Sequence, residues 1–106
     1  MRDLRVDSYV IESLMPDLVG HDRRPSAYIV YLFLWSRTHA VGHKSAHIAL
    51  VDIAEGTGLA KRTIQQAIAW LEHRKLIAIE RTRATDVGSF AVLTPWSRHR
   101  KSSPER

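Results

Sequence analysis

The stretch EGTGLAKRTIQQAIAWLEHRKLI, residues 55–77, constrains the fold more than any other part of the chain. Ile64, Ala67, Ile68 and Leu71 stand at i, i+3, i+4 and i+7, which an α-helix alone gathers on one side. Lys61, Arg62, Gln65, Gln66 and Ala69 fall on the remaining surface. The spacing therefore predicts a helix over 60–74, buried along one stripe and polar along another. Just before it, Leu50, Ile53 and Ala54 share one face of a shorter helix over 50–58. Gly58 can take the positive φ that a tight helix-to-helix turn needs.

Upstream, PSAYIVYLFLWSRTH (25–39) reads as a helix that begins at Pro25 and is apolar nearly all round. Such a helix has to be covered on every side. The domain core covers one face; the N-terminal arm, or a second copy of the chain, covers the other. Within the arm, VDSYVIES reads either as a short strand or as an arm packed on something else. LMPDLVGHDRRP reads as a turn of helix and a loop, limited by Pro16 and stopped at Gly20. AVGHK is a loop, and SAHIAL alternates weakly, as a short strand would. Downstream, residues 76–83 alternate, with Ile77, Ile79 and Arg81 on one side. ATDVGS carries hairpin-loop chemistry, and FAVLT (90–94) should pair back antiparallel before Pro95 ends it. The expected organisation is an N-terminal arm over 1–24, one domain over 25–97 and a basic tail over 98–106.

Composition narrows the function. With no Cys among 106 residues, disulfides, thiolate metal sites and Cys nucleophiles are excluded. The longest apolar run, nine residues over 27–35, is far below the roughly 20 of a membrane span. The N-terminus lacks the apolar segment of a signal peptide, so a cytoplasmic location is expected. Residues 1–59 hold six Lys/Arg against seven Asp/Glu, whereas 60–106 hold ten against four. The net charge of +5 thus lies in the second half, which favours a polyanionic partner. His39, His43 and His47 recur every fourth residue, but Gly42 breaks the helix that would unite them. They read as solvated loop histidines, with no metal and no cofactor expected. No nucleotide-binding loop, nucleophile elbow or zinc-protease motif is present, so an enzyme is not expected.

Two helices joined by a tight Gly turn, the second with a basic start, describe a helix-turn-helix. Its second helix enters a major groove about 12 Å wide when one stripe is buried and the other carries hydrogen-bonding or cationic groups. Lys61 and Arg62 suit phosphates or guanine, Gln66 and Gln65 suit base edges, and Thr63 suits a phosphate or a thymine methyl group. Arg81 and Arg83, beside the hairpin loop, suit the flanking backbone or minor groove. The tail cations Arg98, Arg100 and Lys101 would add salt-dependent contacts.

Residues 46–95 resemble the winged helix-turn-helix of MarR-like and GntR-like bacterial regulators and of related replication-initiator domains. The resemblance rests on Ala54, Gly58, Leu59, Ala60, Thr63, Ile64, Leu71, Glu72, Leu76 and Ile77. It implies an α+β winged helix-turn-helix, a three-helix core with a C-terminal β-hairpin wing. It implies sequence-specific binding of double-stranded DNA, as a transcriptional regulator or in a plasmid or phage replication system. A homodimer through the 25–39 helix and the N-terminal arm is expected, because one module this small covers little DNA. The alternative is a winged helix that binds protein and not DNA. Two positions depart from the family pattern. Ala60 stands where Ser or Thr usually caps the second helix, and Lys75 stands where Gly usually turns the chain toward the wing.

Overall fold

The computed structural model describes residues 3–81 and 87–96, apart from the side chains of Arg81 and Val87. These residues form a small α+β domain with a three-stranded antiparallel sheet. Helix α1 spans Pro25–Arg37, strand β1 Ser45–Ala49, helix α2 Leu50–Thr57 and helix α3 Lys61–His73. Strands β2, Ile77–Arg81, and β3, Val87–Val92, follow.

Of the two readings of the N-terminal segment, the strand does not hold and the packed arm does, in helical form. It winds as two π-helical runs, Val10–Leu14 and Pro16–His21. Val10, Leu14 and Leu18 are buried in the common core, while Ile11, Met15 and Val19 stay exposed beside them. In an α-helix each step of four residues overshoots the turn by about 40°. The looser i→i+5 winding keeps this four-residue series closer to one line. Pro16, expected to limit the helix before it, instead opens the second run, where a missing N–H costs little. The helical structure passes Gly20 and ends at His21.

This segment covers α1. Tyr28 donates its hydroxyl to the Val10 carbonyl at 2.8 Å, and Trp35 Nε1 donates to the Arg5 carbonyl at 2.7 Å. Ala27, Val30, Tyr31 and Leu34 complete the buried surface of α1. Thr38, fully buried, satisfies its hydroxyl on the Leu34 carbonyl at 2.8 Å. At Gly56, α2 lies so close to α1 that an added Cβ would enter the Phe33 ring.

The sheet order is β1-β3-β2. Ala46 pairs with Phe90, which pairs on its other side with Ile79; Ile77 pairs with Val92. Ile48, Ile77, Phe90 and Val92 are buried. Strand β3 starts three residues before the expected Phe90, because β1 offers His47 and Ile48 as partners for Ser89 and Gly88. Residues 82–86, and with them the first half of the expected hairpin loop, lie outside the described residues, as does the tail from 97 on, while the loop's expected second half, Val87, Gly88 and Ser89, belongs to β3.

Trp96, just beyond the end of β3, clamps the N-terminal segment. Its ring stacks on Tyr9 with centroids 4.4 Å apart, and its Nε1 donates to Asp7 Oδ2 at 3.1 Å. His39 is not merely solvated either. It stacks on Trp35 at 4.4 Å and its Nε2 bonds the Val92 carbonyl at 2.8 Å. His43 follows in the loop and His47 lies on β1, so no single helical face carries the three.

Candidate nucleic-acid interface

The turn between α2 and α3 is built by local chemistry. Gly58 takes φ 80° and ψ 9°, and its N–H bonds the Ala54 carbonyl at 2.8 Å. Thr57 donates its hydroxyl to the Ile53 carbonyl at 2.7 Å and accepts from the Leu59 N–H at 3.2 Å. The chain then re-enters helix at Ala60, whose φ −69° and ψ 151° suit an N-cap. Alanine has no side-chain acceptor, so no side chain caps α3.

Helix α3 is oriented by its buried stripe. Ile64, Ala67, Ile68 and Leu71 are all buried, as their spacing requires. Lys61, Arg62, Gln65 and Gln66 are exposed and Thr63 is half-buried. The N-terminal half of the helix therefore gathers two cations, two amides and a hydroxyl around its outer surface. Arg81 is the last residue of β2, where only its backbone is described. Arg83, Arg98, Arg100 and Lys101 lie outside the described residues.

The other end of α3 carries a cluster that periodicity did not reveal. Arg74 Nη2 meets Asp17 Oδ2 at 2.6 Å, and Arg74 Nη1 meets Asp22 Oδ2. Trp70 Nε1 donates to the same Asp22 oxygen at 2.9 Å, and His21 Nδ1 bonds Asp22 Oδ1 at 3.0 Å. Burial alone would raise the Asp22 carboxyl, but the bonds from His21 and Trp70 and the Arg74 charge outweigh it. The net effect holds the group below its ordinary value. Hydrogen bonding to Asp17 raises Arg74 in turn. The guanidinium of Arg24 lies 4.3 Å from the Trp70 ring centroid. The ligand atoms of Asp17, His21 and Asp22 lie within 4.8 Å of one another, as a metal site would require. Arg74, however, is already bonded to both carboxylates. The sequence hinted at this cluster only through Trp70, whose N–H needs an acceptor when its ring packs.

Comparison with family models, with curated proteins and with solved structures returns no match for this chain. Among the described residues, no helix is long and apolar enough to cross a membrane.

Proposed function

We propose that the chain is a winged helix-turn-helix domain that binds double-stranded DNA sequence-specifically, acting as a transcriptional regulator in the cytoplasm. One observation carries this reading: Lys61, Arg62, Gln65 and Gln66 are exposed on α3 while its opposite stripe is buried. A helix so held can enter a major groove with its first turns. Arg62 and Lys61 would then reach phosphates or guanine, Gln66 and Gln65 base edges, and Thr63 the backbone. The uncapped N-terminus of α3 adds backbone donors that favour a phosphate. The element order α1-β1-α2-α3-β2-β3 and the sheet order β1-β3-β2 support the winged arrangement. In it the β2–β3 hairpin is the wing, and the flanking backbone is the contact proposed for Arg81 and Arg83.

The dimer proposed with this reading uses a narrower surface than α1 as a whole, because the chain itself covers much of that helix. Ile11, Met15 and Val19 of the N-terminal segment, with Ile29 of α1, remain exposed and are the apolar groups offered to a second copy.

The test is binding to a randomised double-stranded DNA pool by fluorescence anisotropy, over a salt series, for the wild type and Lys61→Ala/Arg62→Ala. The expected result is enrichment of a pseudo-palindrome, with lower affinity and a shallower salt slope in the variant. Absence of binding by the wild type at low salt, or equal binding by the variant, refutes the reading. A partner protein bound with little salt dependence would then point to an interaction module.

A further inference from the structure

Two helix ends in this protein are followed by a cation in the left-handed region. After α3, the Lys75 N–H bonds the Glu72 carbonyl at 3.0 Å and the Leu76 N–H bonds the Leu71 carbonyl at 2.9 Å. This is a Schellman closure, which places its linking residue in the left-handed region and so favours Gly. Lys75 occupies that region with φ 59°. After the N-terminal π-helical segment, the Asp22 N–H bonds the Asp17 carbonyl at 2.9 Å and the Arg24 N–H bonds the Leu18 carbonyl at 2.8 Å. Between them Arg23 also turns left-handed, with φ 58°. These are the two non-glycine residues with positive φ among the described residues, and both are cations.

The Asp22–Arg74 pair joins the two ends. Arg23 directly follows Asp22, and Lys75 directly follows Arg74. Arg24 lies over Trp70, and the centroid of the His73 ring is 5.4 Å from that of Trp70. Arg23, Arg24, His73 and Lys75 are all exposed. Asp17 and Asp22 both bond Arg74, and against their two negative charges the cluster sets four cations, Arg23, Arg24, Arg74 and Lys75. A cation in the last turn of a helix is favoured by the helix dipole. The dipole does not account for two cations held in a backbone conformation that Gly would occupy without strain. Strain of this kind persists where surrounding structure enforces it, and it collects at ligand-binding positions.

We propose that Arg23, Arg24 and Lys75, with His73 beside them, form a second phosphate-binding surface that grips the nucleic-acid backbone. The proposal rests on the DNA-binding reading of α3 and extends it. Thirteen residues of helix span about 20 Å. The patch therefore meets the backbone about one helix length from the groove contacts of Lys61 and Arg62. The ligand is a phosphodiester chain, recognised by charge and without regard to base sequence.

Gly substitution supplies a test in which folding and binding move in opposite directions. Arg23→Gly/Lys75→Gly removes two cations and relieves both strained turns. The variant and the wild type are compared on one double-stranded DNA by anisotropy over a salt series, and by thermal unfolding without DNA. Lys61→Ala/Arg62→Ala is run in parallel. The expected result is an unfolding midpoint equal to or above that of the wild type. The slope of log affinity against log salt should become shallower by about 2, and affinity at about 0.1 M salt should fall tenfold or more. If the Gly variant keeps the wild-type slope while Lys61→Ala/Arg62→Ala loses it, the patch is not a phosphate contact and the α3 reading stands. If the wild type binds no DNA at low salt, both proposals fall together. If the Gly variant loses its midpoint, Arg23→Gln/Lys75→Gln is measured instead. A wild-type slope there equally overturns the proposal, and a shallower slope with the midpoint retained supports it.

Discussion

Removing the Asp22 carboxylate tests how the N-terminal segment is fastened to α3. In Asp22→Ala, Trp70 Nε1 loses an acceptor at 2.9 Å and Arg74 loses one of its two carboxylates. The Asp22 side chain is only 5% exposed, so its bond from Trp70 is shielded from water. A hydrogen bond to a charged group contributes about 1.5–3 kcal/mol. Arg74 is 30% exposed and keeps Asp17 at 2.6 Å, so its loss is closer to that of a surface pair, up to about 1 kcal/mol. The exposed His21 contact adds little. The sum is a loss of roughly 1.5–4 kcal/mol, which in a domain of this size lowers the unfolding midpoint by about 6–30 °C. Urea and thermal unfolding followed by far-UV circular dichroism measure it. The pH dependence supplies a second check. The Asp22 carboxyl lies lower in the folded state than its unfolded value of about 4. The stability it contributes is therefore fully present above about pH 4 and is lost as pH falls through the lowered folded value. The gap between wild type and Asp22→Ala should be constant near neutrality and close at low pH. A neutral-pH loss under about 0.5 kcal/mol, or a gap that widens on acidification, would refute this account.

Two further substitutions probe the helices that frame the turn. Ala60→Ser places a hydroxyl where the backbone already has N-cap geometry, and should raise stability by about 1 kcal/mol in urea unfolding. No gain would mean that α3 does not begin there. Gly56→Ala gains about 1 kcal/mol of helix propensity. It also forces the methyl group against the Phe33 ring, and overpacking costs about 1–3 kcal/mol. A net loss is expected in the wild type and a net gain in a Phe33→Ala background. The same sign in both backgrounds would exclude the Phe33 contact as the cause.

The parts of the fold legible in the sequence were those written in local pattern. The four-membered stripe of α3 and the left-handed Gly58 follow from spacing and from the conformational freedom of one residue. The N-terminal segment was illegible for a related reason. Its apolar residues recur every four positions, off the α-helical period, and Pro16 reads as a stop when it is a start. Long-range partners were hidden as well. Nothing local tells β3 that β1 will lie on its other side, nor tells Trp70 that Asp22 is its acceptor. His39 read as solvated because its stacking partner Trp35 and its carbonyl partner Val92 are set by the fold and not by neighbours in sequence. In the candidate interface, the exposed cations and amides of α3 were legible from the helix period. The link between the turns that carry Arg23 and Lys75 was not, since it depends on the long-range Asp22–Arg74 pair.

The stack of Trp96 on Tyr9 bears on the order of assembly during synthesis. Two tryptophans hold the start of the N-terminal segment: Trp35 of α1 bonds the Arg5 carbonyl, and Trp96, far later in the sequence, stacks on Tyr9 and bonds Asp7. Helices α1, α2 and α3 can begin to pack as soon as each is made. The N-terminal segment reaches its final fastening only when Trp96 has emerged, more than 80 residues later. Closing so long a loop is a slow step in chain folding. Until then the apolar series Val10, Leu14 and Leu18 lacks that anchor. Before Trp96 emerges, a nascent chain would accordingly expose the segment around Tyr9 to chaperones and proteases more than the finished domain does.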